Sequence, residues 1–155
     1  MKKGFTLIEI LVVIAILSII AVVVFVALNP AQRFSDARDS RRVNDVNSIL
    51  TAVHECIVDS GGDMATCVGA FTSGNTYEVV TGATATGCDD VCTGATGDTS
   101  CLVLDTTLGS YLKSIPTDPS GVASGHTEYS ISIDANNLVT VAACSAEGTP
   151  IEASR

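Results

Sequence analysis

The sequence predicts an α+β chain in which one long N-terminal helix, apolar in its first half and amphipathic in its second, packs on a small antiparallel β-sheet domain. Three observations carry this expectation. Every residue from 10 to 28 is apolar except Ser18. Further on, Val43, Val46, Leu50, Val53 and Ile57 recur at spacings of three and four, with Ile49 broadening the stripe, which is the period of one helix face. Near the end, Tyr129, Ile131 and Ile133 alternate with Ser130, Ser132 and Asp134, the period-two pattern of a strand buried on one side.

The apolar run comes first. At a helical rise of about 1.5 Å per residue, residues 5–28 extend roughly 36 Å, more than a bilayer core of about 30 Å requires. Lys2 and Lys3 are the only charges before it, and basic residues hold that end on the cytoplasmic side. A secretory signal peptide has an apolar core of about 7 to 15 residues followed by a small-residue cleavage site. Here the run is longer, and Asn29-Pro30-Ala31-Gln32 matches such a site poorly. Glu9 stands out within the segment, because a carboxylate costs about 2.5 to 3.5 kcal/mol at the bilayer centre and less near the edge. It asks for a partner, unless it lies close enough to the interface to stay wet.

The stretch KGFTLIE at residues 3–9 resembles the processing site of type IV pilins and pseudopilins. The resemblance implies a type IV pilin-like fold and cleavage by a prepilin peptidase between Gly4 and Phe5, followed by N-methylation of the Phe5 amine. Residues 1–4 are then a cleaved leader, 5–28 a transmembrane and filament-core helix, 29–62 its amphipathic second half, and 63–155 a disulfide-bearing antiparallel β domain. Glu9 corresponds to the glutamate that pairs with the N-terminal amine, here that of Phe5, of a neighbouring subunit during assembly. The implied partners are further copies of the chain in a helical filament, the prepilin peptidase, the pilus assembly machinery and, before assembly, the cell membrane. The implied course is from a single-pass precursor in the inner membrane to an extracellular filament on a bacterial surface. A plain membrane anchor remains the alternative.

Charge is divided unevenly: residues 1–42 carry a net +3 and residues 43–155 a net −12, which together make the −9 of the chain. An exterior that acidic repels phosphate backbones, so no nucleic-acid partner is expected. Pro30 follows the apolar run and predicts a kink or local break near Asn29. Residues 32–60 then read as the amphipathic helix, ended by Gly61 and Gly62, since glycine readily takes the left-handed conformation of helix C-termini. Arg33, Asp36, Arg38, Asp39, Arg41, Arg42 and Asp45 read either as a solvated face with pairs such as Arg38 with Asp45 and Asp39 with Arg42, or as a contact between packed helices of adjacent subunits.

Downstream, residues 64–76 read as irregular, 77–80 as a short strand and 81–100 as a surface loop rich in Gly, Thr, Ala and Asp. Residues 102–104 form a short apolar piece, and Leu108, Leu112 and Ile115 suggest a helical turn or two ending at Pro116. Residues 127–134 and 138–144 flank Ala135-Asn136-Asn137 as a hairpin. The preceding YLKSIPTDP at residues 111–119 resembles the stretch that leads into the last two strands of pilin domains. In some pseudopilins the following loop binds calcium. Here residues 120–127 supply no acid, leaving Asp118 and Glu128, too few donors for an ion that takes about six or more oxygens.

Six cysteines, Cys56, Cys67, Cys88, Cys92, Cys101 and Cys144, fall in the part expected to be exported, where disulfides form. Fifteen complete pairings exist; the expectation is Cys56 with Cys67, Cys88 with Cys92, and Cys101 with Cys144. The rival reading is a zinc site from Cys88, Cys92 and Cys101 with His54 or His126. No other metal and no cofactor is expected. The two histidines lie in unrelated contexts, His54 on the helix and His126 in a loop, and neither Glu55 nor Asp134 belongs to an identifiable pair, so no enzyme is expected. Two function classes remain: a structural filament subunit, either a pilin of a pilus or a pseudopilin of a type II secretion system, and a membrane-anchored binding domain whose functional surface is the loop 81–100.

Overall fold

The structure, a computed structural model, describes residues 4–82, 87–88 and 100–155. The chain forms two compact units, Met1–Asp36 and Ala37–Arg155. In the first, helix α1 (Leu7–Leu28) is apolar on every side and has no buried residue. It is long and apolar enough to cross a membrane. Its one internal hydroxyl, Ser18, donates to the carbonyl of Ile14 at 2.7 Å, so the polar group is satisfied within the helix. The break falls at Asn29, which adopts a left-handed conformation with φ of 40°, and helix α2 (Pro30–Asp59) opens on the proline, where its missing N–H costs nothing.

In the second unit, α2 ends as the glycine pair predicts. Gly61 and Gly62 have φ of 73° and 96°, and Gly62 donates its N–H to Ile57 at 2.8 Å. Asp63 then caps a short helix α3 (Met64–Val68), where the sequence pattern showed only irregular chain. The Asp63 carboxylate accepts from the N–H of Ala65 at 3.1 Å and the hydroxyl of Thr66 at 2.6 Å. The disulfide between Cys56 and Cys67 ties α3 to α2.

Five strands follow: β1 (Thr76–Val80), β2 (Cys101–Val103), β3 (His126–Ile133), β4 (Val139–Ala143) and β5 (Ile151–Ser154), in the order β2-β1-β3-β4-β5. The expected hairpin is β3 with β4, closed where the Asp134 carboxylate accepts from the N–H groups of Asn136 and Leu138, each at 2.8 Å. The sheet is mixed rather than wholly antiparallel, because β2 pairs with β1 in parallel, while β1 with β3, β3 with β4 and β4 with β5 are antiparallel. Residues 104–112 make separate turns, with Leu108 N–H donating to Leu104 and Leu112 N–H to Leu108.

Val46, Ile49, Leu50, Val53 and Cys56 of α2 share one core with Val79, Leu104, Leu108, Tyr129, Ile131, Val139 and Val141. The helix stripe is narrower at its start than its spacing predicts: Val43 is exposed, and its place against the domain is taken by Arg42, one residue earlier.

Arg42 is 0 % exposed. Its guanidinium donates Nε and Nη2 to the two oxygens of Asp118 at 2.6 and 2.9 Å, and Nη1 to Asp39 at 2.7 Å and Glu147 at 3.0 Å. Arg38 donates a second fork to Glu147. Asp39 in turn accepts the N–H groups of Glu147 and Gly148 at 3.1 and 2.9 Å, an approach so close that a Cβ on Gly148 would stand 3.1 Å from that carboxylate. The solvated-face reading of this cluster is therefore corrected. Arg38 pairs with Glu147 rather than Asp45, Arg41 lies 3.7 Å from Asp45, and Asp39 with Arg42 is the expected pair that forms. The arginines turn inward because the loops after β4 and after Pro116 bring carboxylates that no helical spacing reveals.

Burial alone pushes the Asp118 carboxyl up, but hydrogen bonds from Arg42 and Ser120 outweigh it and hold it below the ordinary 3.8. Asp39 is lowered in the same way, burial being overcome by the Glu147 and Gly148 N–H groups and by Arg42. Hydrogen bonds from Arg38 and then Arg42 bring Glu147 from 4.5 to about 2. Carboxyls depressed in the folded state stabilise it fully above their unfolded values, and that contribution is lost as pH falls through the folded ones. Stability should therefore decline as pH drops from about 4.5 toward 2. Arg42→Met should cost about 3 to 5 kcal/mol at pH 7, since it leaves Asp118 buried without its counter-charge, and the deficit should shrink in acid as Asp118 protonates. Urea unfolding of both proteins at pH 7 and pH 3, followed by tyrosine fluorescence, measures this. An equal deficit at both values would contradict the buried pair.

Candidate functional site

The residues singled out at the N-terminus stand together at the start of α1. Thr6 is the N-cap, and its hydroxyl accepts the N–H of Glu9 at 3.3 Å. The Glu9 carboxylate reaches back, one oxygen accepting from the Thr6 N–H at 3.4 Å and the Thr6 hydroxyl at 3.5 Å. This reciprocal capping box satisfies donors that a helix start leaves open. The glutamate therefore has an intrachain partner, in addition to the wet-interface and neighbouring-amine readings. The T-x-x-E spacing of Thr6 and Glu9 was visible in the sequence, and it is the residue pattern that could have revealed Thr6.

Phe5 precedes the cap and is 80 % exposed. Gly4 precedes Phe5, and two facts about it matter. A Cβ built there meets nothing within 4 Å, and its φ is outside the left-handed range that excludes side chains. Neither conformation nor packing asks for glycine at this position. Apolar residues continue on all faces of the helix behind it, with Leu7, Ile8, Phe25 and Val26 each more than half exposed.

In the domain, the cysteine pairing differs from the expectation. Cys56 bonds Cys67 as expected, but Cys88 bonds Cys101 rather than Cys92, and Cys101 is thus not the partner of Cys144. Cys144 is itself disulfide-bonded, and Cys92 lies outside the described residues. The reason is spatial: β2 lies in parallel beside β1, which carries Cys101 back to a position opposite Glu78 in the middle of β1. Most of the loop 81–100, the functional surface of the anchored-binding reading, also lies outside the described residues.

His126 is not isolated. It opens β3, and its Nδ1 lies 3.1 and 3.0 Å from the two oxygens of Glu78, a carboxylate wholly buried on β1. His54 borders an open groove of about 440 Å³ with Glu55, Asp59, Tyr111 and Arg155, and its Nε2 has no hydrogen-bond partner among the described residues. Asp118 is engaged by Arg42 and Ser120, and Glu128 accepts from the Ser145 hydroxyl.

No curated protein and no solved structure matches the chain. Residues 1–25 match the family described as the prokaryotic N-terminal methylation motif. The match spans Gly4, Phe5, the Thr6–Glu9 cap and most of the uncovered apolar helix, and with it the chain carries the prepilin-like signature of type IV pilins and pseudopilins.

Proposed function

We propose that this chain is a structural subunit of a type IV pilus-like extracellular filament, made as a membrane-anchored precursor, cut between Gly4 and Phe5 by a prepilin peptidase and methylated on the new amine. Gly4 carries the reading. A glycine without a conformational or steric role in its own fold, immediately before an exposed phenylalanine and within a methylation motif, is accounted for by an enzyme that must bind the chain closely there. The apolar α1 supports the second half of the proposal: a helix with no buried residue must be covered by lipid or by other helices. In lipid, helices associate through packing and polar contacts rather than through hydrophobic burial, so a carboxylate near the end of α1 gives incoming subunits a contact that forms only in register. Asp118, held by Arg42 and Ser120, favours a pilus subunit over the calcium-binding kind of pseudopilin.

Two outcomes test the proposal. Gly4→Leu should leave α1 intact, because there is room for the side chain, and should abolish processing; accumulation of a normally cut chain would contradict the role of Gly4.

Glu9→Gln isolates the charge, since glutamine serves at the third position of a capping box as glutamate does. Insertion and cleavage should persist while the yield of sheared filaments falls at least tenfold, because an unpaired Phe5 amine among packed helices lacks its counter-charge. A normal filament yield alongside normal processed subunit would return Glu9 to a purely capping role.

A further inference from the structure

The buried group around Glu78 is used by none of the steps above. One oxygen of Glu78, the sulfur of Cys88 and one ring nitrogen of His126 lie within 4.8 Å of one another, the first two in wholly buried residues and the third on a half-buried one. Cys101 is the register partner of Glu78 across the β1–β2 pair, which sets both side chains on one face, and its sulfur is bonded to that of Cys88. Three donors of zinc-ligand type, a sulfur, an imidazole and a carboxylate, thus converge at the β2 edge of the sheet, and the sulfur of Cys101 adjoins them through its bond to Cys88. A feature of the backbone brings the histidine there. The β1–β3 register shifts between Val79 and Val80, so that Val80 faces His126, and Glu128 in the interrupted stretch takes a left-handed φ of 62°. Such bulges re-aim side chains, and this one directs His126 onto Glu78.

We infer that Glu78, Cys88, Cys101 and His126 form a redox-gated zinc site: the disulfide closes it, and reduction opens it to one zinc ion. While the bridge stands, neither sulfur is a thiolate and the site cannot ligate. A dithiol or phosphine reductant supplies two electrons, the S–S bond breaks, and each sulfur takes up a proton. An incoming zinc ion then forms two Zn–S bonds and releases both protons to water, while His126 and Glu78 bind through Nδ1 and one oxygen, any proton on Nδ1 passing to Nε2. At Zn–N and Zn–O lengths of about 2.0 to 2.2 Å, tetrahedral donors stand about 3.3 Å apart. The His126 and Glu78 donors already stand at 3.0 and 3.1 Å, close to that spacing. Two thiolates and an imidazole select zinc over magnesium or calcium, which take oxygen donors. The same four residues therefore hold the strand edge in two ways, by metal in a chain not yet oxidised and by a covalent bridge afterwards.

The test uses the full chain in detergent micelles, reduced anaerobically with a phosphine that is then removed, and titrated with Co²⁺ as a spectroscopic stand-in before displacement by Zn²⁺. The reduced chain should take up one Co²⁺ with tetrahedral ligand-field bands and a thiolate charge-transfer band, and the oxidised chain none. Glu78→Gln and His126→Gln should each weaken binding about tenfold or more, whereas replacing Cys56 and Cys67 together by Ser should not. Zinc-edge X-ray absorption of the reduced wild-type chain needs no variant and should show two sulfur and two nitrogen or oxygen neighbours. A shell of four sulfurs, an absence of tetrahedral uptake, or binding that survives His126→Gln but not the loss of Cys56 and Cys67 would overturn the assignment.

Discussion

The buried guanidinium of Arg42 organises the C-terminal unit. Arg42 reaches no solvent, and three carboxylates from three places in the chain, Asp39 on its own helix, Asp118 after Pro116 and Glu147 after β4, close around its guanidinium. One interaction therefore specifies which face of α2 meets the domain, where the YLKSIPTDP stretch comes to rest and how the chain turns from β4 toward β5. A buried ion pair is weak support for stability as such, because apolar side chains of equal volume often serve as well. Its value here is positional. Just along the helix, Asp45 accepts the Tyr129 hydroxyl at 2.9 Å, fixing the helix against the middle of the sheet as well. Burial, followed by that carboxylate, pushes the Tyr129 phenol up from its ordinary value, which keeps it a neutral donor.

The N-terminal unit obeys the opposite constraint. Its helix α1 buries no residue, and the apolar side chains of that helix face outward in every direction. At its first turn Thr6 and Glu9 close the helix start on each other. A helix capped in this way keeps its carboxylate hydrogen-bonded within the chain, which lowers the cost of holding a polar group near lipid. In the proposed assembly the same glutamate exchanges this weak local contact for a stronger one to an amine.

Much of this was legible in the sequence, and the misses share a cause. The alternation of Tyr129, Ile131 and Ile133 located β3, the stripe from Val46 to Val53 located the buried face of α2, and Pro30 with Asn29 located the break, because each is a local pattern. Arg42 looked like one charge among seven on a wet face, since its partners lie far along the chain. Cys88 was matched with Cys92 on nearness in sequence, whereas the parallel placement of β2 delivers Cys101 instead. His126 reads as isolated in the sequence for the same reason, its partner Glu78 arriving through a bulge. β5, with four residues, and α3, with five, are too short for periodicity to register. At the N-terminus the candidate residues were readable as a motif, yet the capping role of Thr6 emerged only with the geometry.

The central claim is that the chain is trimmed at its extreme N-terminus and keeps its apolar helix. Intact-mass measurement of the protein isolated from its native cells tests this most directly. The account predicts a chain that begins at Phe5, bears one methyl group on that amine and retains every residue of α1. A chain that begins at Met1, or one cut beyond Leu28, would contradict it.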